Sequence, residues 1–277
     1  AAGLLVAAAG VLGAGVAADP GVDWPAFTGS VATGRKVGIA GISRGARINL
    51  EMGGKDPFIV CGDLDSEAVR IAARGGAWAA YLNVGQVCTS SERFYVMENV
   101  YDEYVSAFLE HTKSLVIGDP LDAKTDLGPM ISATQRGKAL AQVEAAVDAG
   151  AVLLTGGDDA GFETGHYLSP CVLTGVPEDT DLMTEETFGP VAPILPVSNL
   201  EEAIGKANGL DFGLGANIYT RDLKTAITCL KGVRAGSVWI NDPLTDNDAG
   251  PFGGFKNSGI GRELGTEGLD AFREAKH

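Results

Sequence analysis

Cys88 lies in the run Asn83-Val-Gly-Gln-Val-Cys88-Thr-Ser, and Glu51 lies upstream in Leu50-Glu51-Met-Gly-Gly-Lys55. A thiol and a carboxylate carried by separate glycine-marked segments are the parts of a covalent acyl-transfer site. A Cys88 thiolate would add to a carbonyl carbon, and its own backbone N–H would be one donor to the oxyanion that forms. Glu51 would take a proton from the water that later releases the product. Each residue alone has a plainer reading. A lone cysteine is usually a small buried apolar residue, and a lone glutamate a solvated charge. The plainer reading suits Cys61, Cys171 and Cys229, which sit in apolar runs. Glu51 follows Ile48-Asn-Leu50 and precedes two glycines, so burial is expected there, and burial raises a carboxyl pKa toward that of a useful base.

The elements that must hold these groups alternate in type. Tyr101, Tyr104, Val105, Phe108, Leu109 and Thr112 follow helical spacing over 101–115. Ser132-Ala-Thr-Gln135 has the form of a capping box opening a helix to about Asp148, and Gly150 stops it. Ala68 to about Leu82 reads as a small-residue helix that delivers the chain to Cys88. Arg93–Met97, Ala151–Thr155, Ala216–Thr220 and Ser237–Asn241 read as strands, being short, rich in β-branched or aromatic residues, and bounded by Gly or Asp. Such alternation predicts an α/β fold whose mostly parallel sheet is covered on both faces.

The chain has 277 residues, enough for one large domain or two smaller ones. A net charge of −15 argues against nucleic acid or an anionic membrane as partner, because both demand a basic face. The 39 glycines cluster between periodic segments, which predicts tight loops around a ligand site. Four cysteines without a CxxC pair predict free thiols in a reducing cytosol, and three histidines without HxxxH or HxH spacing predict no metal site. Ala1–Ala18 is almost wholly Ala, Gly, Leu and Val. It has no basic n-region and four glycines interrupt it, so an internal start is expected rather than a targeting segment.

Two segments bear on phosphate. Gly13-Ala-Gly15-Val-Ala-Ala18 matches a dinucleotide fingerprint in form but lacks the acidic residue about twenty positions on, so it is read as chance. Thr28-Gly29-Ser30 precedes a segment, 31–37, that could open a helix. Ser30 is then either an anion contact at the helix N-terminus or a simple N-cap.

Together these segments resemble the aldehyde dehydrogenase superfamily. The matching stretches, in the family's order, are Phe27-Thr-Gly-Ser30, Leu50-Glu51-Met-Gly-Gly-Lys55, Gly85-Gln-Val-Cys88, Glu185-Glu186-Thr-Phe188-Gly-Pro190 and Pro251-Phe-Gly-Gly-Phe-Lys256-Asn-Ser-Gly259-Ile-Gly-Arg262-Glu263. The resemblance implies oxidation of an aldehyde to an acid with NAD or NADP, through a Cys88 thiohemiacetal and thioester. It implies Glu186 on the nicotinamide ribose, Phe188 beside the nicotinamide, Ser30 at the pyrophosphate and Gly85 at a close approach of backbone to cofactor. It places Asn241 and Phe255 near the substrate. Lys256 and Arg262 are expected to be structural and Glu185 solvated. The fold implied is a catalytic domain with the remnant of a Rossmann-like cofactor domain. Residues 1–54 are then the end of the cofactor domain, 55–250 the catalytic domain and 251–277 a segment returning to the cofactor domain. A homodimer or homotetramer is implied for the full protein.

Departures from the family pattern carry expectations of their own. The chain is shorter than family members and lacks the segments that supply the second oxyanion donor and the adenosine-ribose contact. The 277-residue polypeptide alone is therefore expected to be inactive, since losing one oxyanion donor costs about 10²–10³ in rate. Met52 stands where Leu is usual, and Arg74-Gly-Gly-Ala-Trp78 lies inside an extended helix. Two rival functions remain: a CoA-acylating semialdehyde dehydrogenase, which the presence of Glu51 disfavours, and a non-catalytic homologue, which Cys88, Glu51 and Glu186 together disfavour. A low thiol pKa at Cys88 would further disfavour the latter. The acidic run Asn241–Asp248 resembles the betaine and amino-aldehyde branch, and could equally be a solvated turn.

Overall fold

The computed structural model describes residues 13–245 and 247–277. Residues 1–12 of the apolar N-terminal run, and Asp246 of the acidic run, lie outside them. Two compact units divide the chain. One comprises the residues up to Gly53 and from 246 onward, and the other comprises Gly54–Thr245. In chain order the strands are β1 (Ala26–Gly29), β2 (Asn49–Met52), β3 (Asp56–Val60), β4 (Ser91–Met97), β5 (Val152–Thr155), β6 (Cys171–Thr174), β7 (Val191–Val197), β8 (Gly215–Tyr219), β9 (Ser237–Ile240) and β10 (Gly259–Ile260). The helices are α1 (Val31–Ser43), α2 (Ser66–Tyr81), α3 (Glu98–Ser114), α4 (Ala133–Asp148), α5 (Asp181–Thr184), α6 (Leu200–Asn208), α7 (Leu223–Gly232) and α8 (Gly265–Asp270).

The smaller unit is a three-stranded sheet in the order β1-β2-β10, with β1 parallel and β10 antiparallel to β2. Every residue of β2 is buried. Side chains alternate along a strand, so Leu50 and Met52 take one face and Asn49 and Glu51 the other. The first face meets α1, whose buried Gly34, Gly38 and Gly41 leave room for Met52, Leu50 and Ile48. A Cβ on Gly34 would lie 2.3 Å from the Met52 sulfur, so the glycine stripe sets how closely the helix approaches. The Gly13 and Gly15 of the chance fingerprint lie in a helical stretch, 13–18, with open space where a Cβ would be. They make no tight strand-to-helix turn, which is what the fingerprint requires.

The larger unit holds a seven-stranded sheet in the order β5-β6-β7-β4-β3-β8-β9. All neighbours are parallel except the β5–β6 edge pair. β3, β4 and β8 are buried at every position, which requires cover on both sheet faces. The rings of Phe58 and Phe94 lie 5.1 Å apart, those of Phe58 and Tyr219 5.2 Å, and those of Phe94 and Phe108 5.4 Å, forming an aromatic core against α2 and α3. Among the described residues no helix is long and apolar enough to cross a membrane.

The glycine pair inside α2 has a packing cause. A Cβ on Gly75 would meet the Tyr219 hydroxyl at 2.1 Å, and one on Gly76 the Tyr104 hydroxyl at 2.3 Å. The Tyr104 hydroxyl is buried without a hydrogen-bond partner, and such a group costs free energy in the folded state. Gly76→Val is accordingly expected to destabilise the protein by about 1–3 kcal/mol through overpacking. Tyr104→Phe alone is expected to be neutral or stabilising, and to relieve part of the Gly76→Val cost when the two are combined. Thermal melting of the single and double variants tests this, and simple additivity would contradict it.

Candidate active site

Glu51 sits at the centre of the smaller unit's sheet, opposite Thr28 on β1 and Gly259 on β10. Its residue is 4% exposed, and neither carboxylate oxygen has a hydrogen-bond partner. Burial pushes its pKa from 4.5 to about 8. The Glu263 carboxylate adds to that rise and the Arg262 guanidinium opposes it. Arg262 is held in place by donating to the Gly254 and Gly261 carbonyls at 3.2 and 2.6 Å. Gly253 is needed here, since a Cβ on it would lie 3.0 Å from the Glu51 Oε1. Phe255, 40% exposed, carries the Arg262 guanidinium over its ring at 5.4 Å.

Ser30 is the N-cap of α1: its hydroxyl accepts from the Thr33 N–H at 3.3 Å and donates to the Thr33 Oγ1 at 3.1 Å. The cap geometry explains this serine without a ligand, although the residue is exposed and the N-terminal N–H groups beside it remain available to an anion.

Cys88 belongs to the larger unit, after a turn that leaves α2. Asn83, Val84 and Gly85 all adopt positive φ, at 51°, 61° and 69°. Left-handed backbone at the β-branched Val84 is strained. Asn83 and Gln86 lock the turn by exchanging side-chain amide bonds to each other's carbonyls at 3.1 Å, and the Gln86 Oε1 accepts from the Ile131 N–H at 2.9 Å. Gly85 is glycine for a reason within the protein. A Cβ there would come within 2.2 Å of the Gly189 carbonyl oxygen, so the close approach it permits is between two segments of this chain. Gly54 similarly admits the Cys88 carbonyl oxygen, which would be 2.9 Å from its Cβ.

The Cys88 thiol is pushed up to about 11, not down. Burial is the largest cause, followed by the carboxyl groups of Asp56 and Glu186, while the N–H groups of Cys88 and Thr89 partly offset them. A low thiol pKa, which would have further disfavoured a non-catalytic homologue, is not what the surroundings of Cys88 produce, since the charged side chains acting on the sulfur are acids. Asp56 is itself fully buried, its pKa raised well above the usual range by desolvation, with neither oxygen in a hydrogen bond. The Gly215 N–H lies near enough to ease its charge but not in bonding geometry. Asp56 and Glu186 both disfavour the thiolate, and Glu186, with its pKa at about 7, carries its charge above neutrality.

Glu186 is half-buried and its pKa is raised to about 7, by burial first and by Glu92 second, against the opposing Lys138, Gly54 N–H and Lys55. Glu185 is exposed. Phe188 takes φ of 53° in the same turn. Side chains that sequence reasoning missed hold this turn. Glu92 accepts from the Thr187 and Phe188 N–H groups at 2.7 and 2.8 Å, and Lys55 donates to Glu92 at 2.6 Å and to the Thr187 hydroxyl at 2.9 Å. Gln135 donates to the Thr187 and Phe188 carbonyls at 2.9 and 3.1 Å, and Lys138 to the Glu186 carbonyl at 2.6 Å. The capping box is therefore half-formed: Ser132 accepts from the Gln135 N–H, while the Gln135 side chain serves the turn. The available signal was a Ser-Ser-Glu-Arg run opening an otherwise apolar strand.

Asn241, expected near the substrate, commits its amide to the backbone. Its amide accepts from the Thr220 N–H at 3.0 Å and donates to the Thr220 carbonyl at 2.8 Å, so it ties the ends of β8 and β9 together. No group of three or more His, Cys, Asp or Glu among the described residues could hold a metal ion. Cys61, Cys171 and Cys229 are buried free thiols.

The smaller unit thus carries a buried acid at the centre of its sheet, and the larger unit a cysteine that follows a strained turn. The chain belongs to the aldehyde dehydrogenase family, whose model matches residues 2–277. It is 40% identical to retinal dehydrogenase 2 of Gallus gallus over 96% of this chain and 51% of that protein. It is also 40% identical to the mitochondrial aldehyde dehydrogenase of Homo sapiens, over 95% of this chain and 50% of the relative. Among solved structures, the NAD-dependent aldehyde dehydrogenase of Sinorhizobium meliloti superposes with a TM-score of 0.91 at 40% identity, over 94% of this chain and 51% of that one. The betaine aldehyde dehydrogenase of Staphylococcus aureus in complex with NAD+ gives 0.89 at 32% identity, covering 94% and 52%. The chain spans about half the length of the relatives it matches.

Two expectations follow. Glu51 binds its proton more tightly folded than unfolded, so the stability it contributes is complete below 4.5 and is lost as pH rises to about 8. The advantage of Glu51→Gln over wild type in thermal midpoint is expected to grow across that interval and to flatten above it; an advantage independent of pH would contradict the assignment. Glu186→Gln is expected to speed iodoacetamide alkylation of Cys88 severalfold above pH 7, where the wild-type carboxylate is charged. Peptide mass spectrometry reads the rate, and an unchanged rate would remove Glu186 from the electrostatics of the thiol.

Proposed function

We propose that the protein carrying this chain oxidises an aldehyde to a carboxylic acid, with Cys88 as nucleophile and Glu51 as the base for release. The observation that carries the reading is Glu51 itself: a buried carboxyl with both oxygens unpartnered and a pKa moved to about 8. A structural glutamate would have its lone pairs satisfied, whereas a general base needs one free near the working pH.

The Cys88 sulfur adds to the aldehyde carbon, and because the thiol is held protonated, its proton passes to solvent water as the bond forms and the carbonyl oxygen becomes the oxyanion. The N–H groups of Cys88 and Thr89, which ease charge on the sulfur, would donate to the oxyanion of the thiohemiacetal. A nicotinamide dinucleotide, NAD or NADP, supplies the hydride acceptor when bound. The residues present suit one: Glu186 offers a half-buried carboxylate acceptor for ribose hydroxyls, Phe188 offers a fixed ring, and the exposed N-terminus of α1 at Ser30 suits a phosphate. Loss of hydride leaves a Cys88 thioester. Glu51 takes a proton from water, the hydroxide adds to the thioester carbonyl, and the carboxylic acid departs as the Cys88 thiolate is regenerated.

On this reading the smaller unit is the end of a cofactor-binding domain together with the returning C-terminal segment, and the larger unit is the catalytic domain. Phe255 forms part of the aldehyde pocket. Ile39 and Ile42, 68% and 63% exposed on α1, support assembly as a homo-oligomer, and four free cysteines suit a reducing compartment such as the cytoplasm.

NADH formation with a panel that includes betaine aldehyde and retinal tests the reaction. Cys88→Ser is expected to lower turnover by at least about 10³. Glu51→Gln is expected to keep a first-turnover burst of NADH while the steady state falls by about 10²–10³. Undiminished turnover in the serine variant would overturn the assignment, and acyl-CoA in place of acid would redirect it to the CoA-acylating class.

A further inference from the structure

Side chains from elsewhere in the larger unit hold five backbone polar groups of the Glu186–Gly189 turn, the Glu186 carbonyl and both groups of Thr187 and of Phe188, and the two N–H groups among them converge on one residue. Glu92 is 3% exposed, and its two oxygens divide the work. Oε1 accepts the Phe188 N–H at 2.8 Å, while Oε2 accepts the Thr187 N–H at 2.7 Å and the Lys55 ammonium at 2.6 Å. Lys55 is wholly withdrawn from water and donates to the Thr187 hydroxyl as well. The turn needs such restraint, because Phe188 holds a positive φ of 53° that a phenylalanine avoids in a free chain.

We propose that Glu92 is the positioning residue for the nicotinamide contacts, with Lys55 as its counter-ion. It fixes Phe188 and, through Thr187, Glu186. The inference rests on the reading of Glu186 and Phe188 as those contacts. Only a carboxylate meets the geometry, since it presents two acceptors to two adjacent N–H donors. A glutamine has one acceptor, so its amide N–H₂ would face a backbone N–H and one bond of the pair must be lost. A buried ion pair is a poor source of stability compared with apolar residues of the same volume, and a positioning role explains its presence in this place.

The test separates positioning from simple stability. Glu92→Gln leaves Lys55 without its counter-charge and can fail for that reason alone, so Lys55→Met/Glu92→Gln is made beside it. The double variant removes the buried charge and is expected to return to near the wild-type thermal midpoint. Its KM for NAD is nevertheless expected to stay about tenfold or more above wild type, with the KM for aldehyde changed far less. Recovery of the NAD KM along with the melting temperature would overturn the proposal, because the ion pair would then be structural only. Amide hydrogen exchange supplies a readout that needs no turnover. The Thr187 and Phe188 N–H groups are expected to exchange faster in the double variant than in wild type, and unchanged exchange would refute the clamp. Faster exchange in a protein whose wild type forms no NADH would uphold the clamp and refute instead the assignment of its function.

Discussion

Lys55 and Glu92 meet at 2.6 Å with almost no water around either, and an ion pair in such a place is tolerable only when the remaining protons and lone pairs are also satisfied. That requirement organises the middle of the larger unit. Glu92 must find further donors and takes the backbone N–H groups of Thr187 and Phe188; Lys55 must find a further acceptor and takes the Thr187 hydroxyl. Two residues at the starts of neighbouring parallel strands, β3 and β4, thereby fix a turn that lies about a hundred positions away in the sequence. The turn packs on the segment leading to Cys88, where the Gly189 carbonyl fills the space that Gly85 leaves open.

A second consequence of withdrawing polar groups from water is an accumulation of acids whose charge is discouraged. Glu51, Asp56 and Glu186 are all raised, in each case chiefly by burial. In an ordinary core this would be a liability, since the folded protein pays for every proton these groups lose on the alkaline side. For a reaction that needs a base working near neutrality it is the means of making one. The same burial raises the Cys88 thiol to about 11, so its thiolate is disfavoured as well.

Two of the strained segments touch each other. Val84, Gly85 and Phe188 take left-handed backbone in two turns that touch each other, and each turn is braced by side-chain amides or carboxylates bonded to main chain. Among the described residues eleven glycines take positive φ at no steric cost, and eight other residues do so as well. Placing it on valine and phenylalanine requires surroundings that over-determine the conformation, and the Asn83–Gln86 exchange and the Glu92 clamp are those surroundings.

Local chemistry in the chain was enough for several features. Ser132 caps α4 and Gly150 follows its end, the periodic face of 101–115 forms most of α3, and the short β-branched runs form β4, β5, β8 and β9, because caps, periodicity and strand propensity act over a few residues. The ordered motifs around Glu51 and Cys88 likewise identified the family. Other elements were hidden. Pro193 and Pro196 disguise β7, which nevertheless lies inside the sheet between β6 and β4, and β3 is too short to show a period. What only the tertiary structure decided is who faces whom. It gave the Gln135 side chain to a distant turn instead of its own helix, closed the Asn241 amide on Thr220, explained Gly85 by Gly189, and set acids rather than cations around Cys88. Those outcomes depend on desolvation and on partners far apart along the chain, and both come into being only when the sheets assemble.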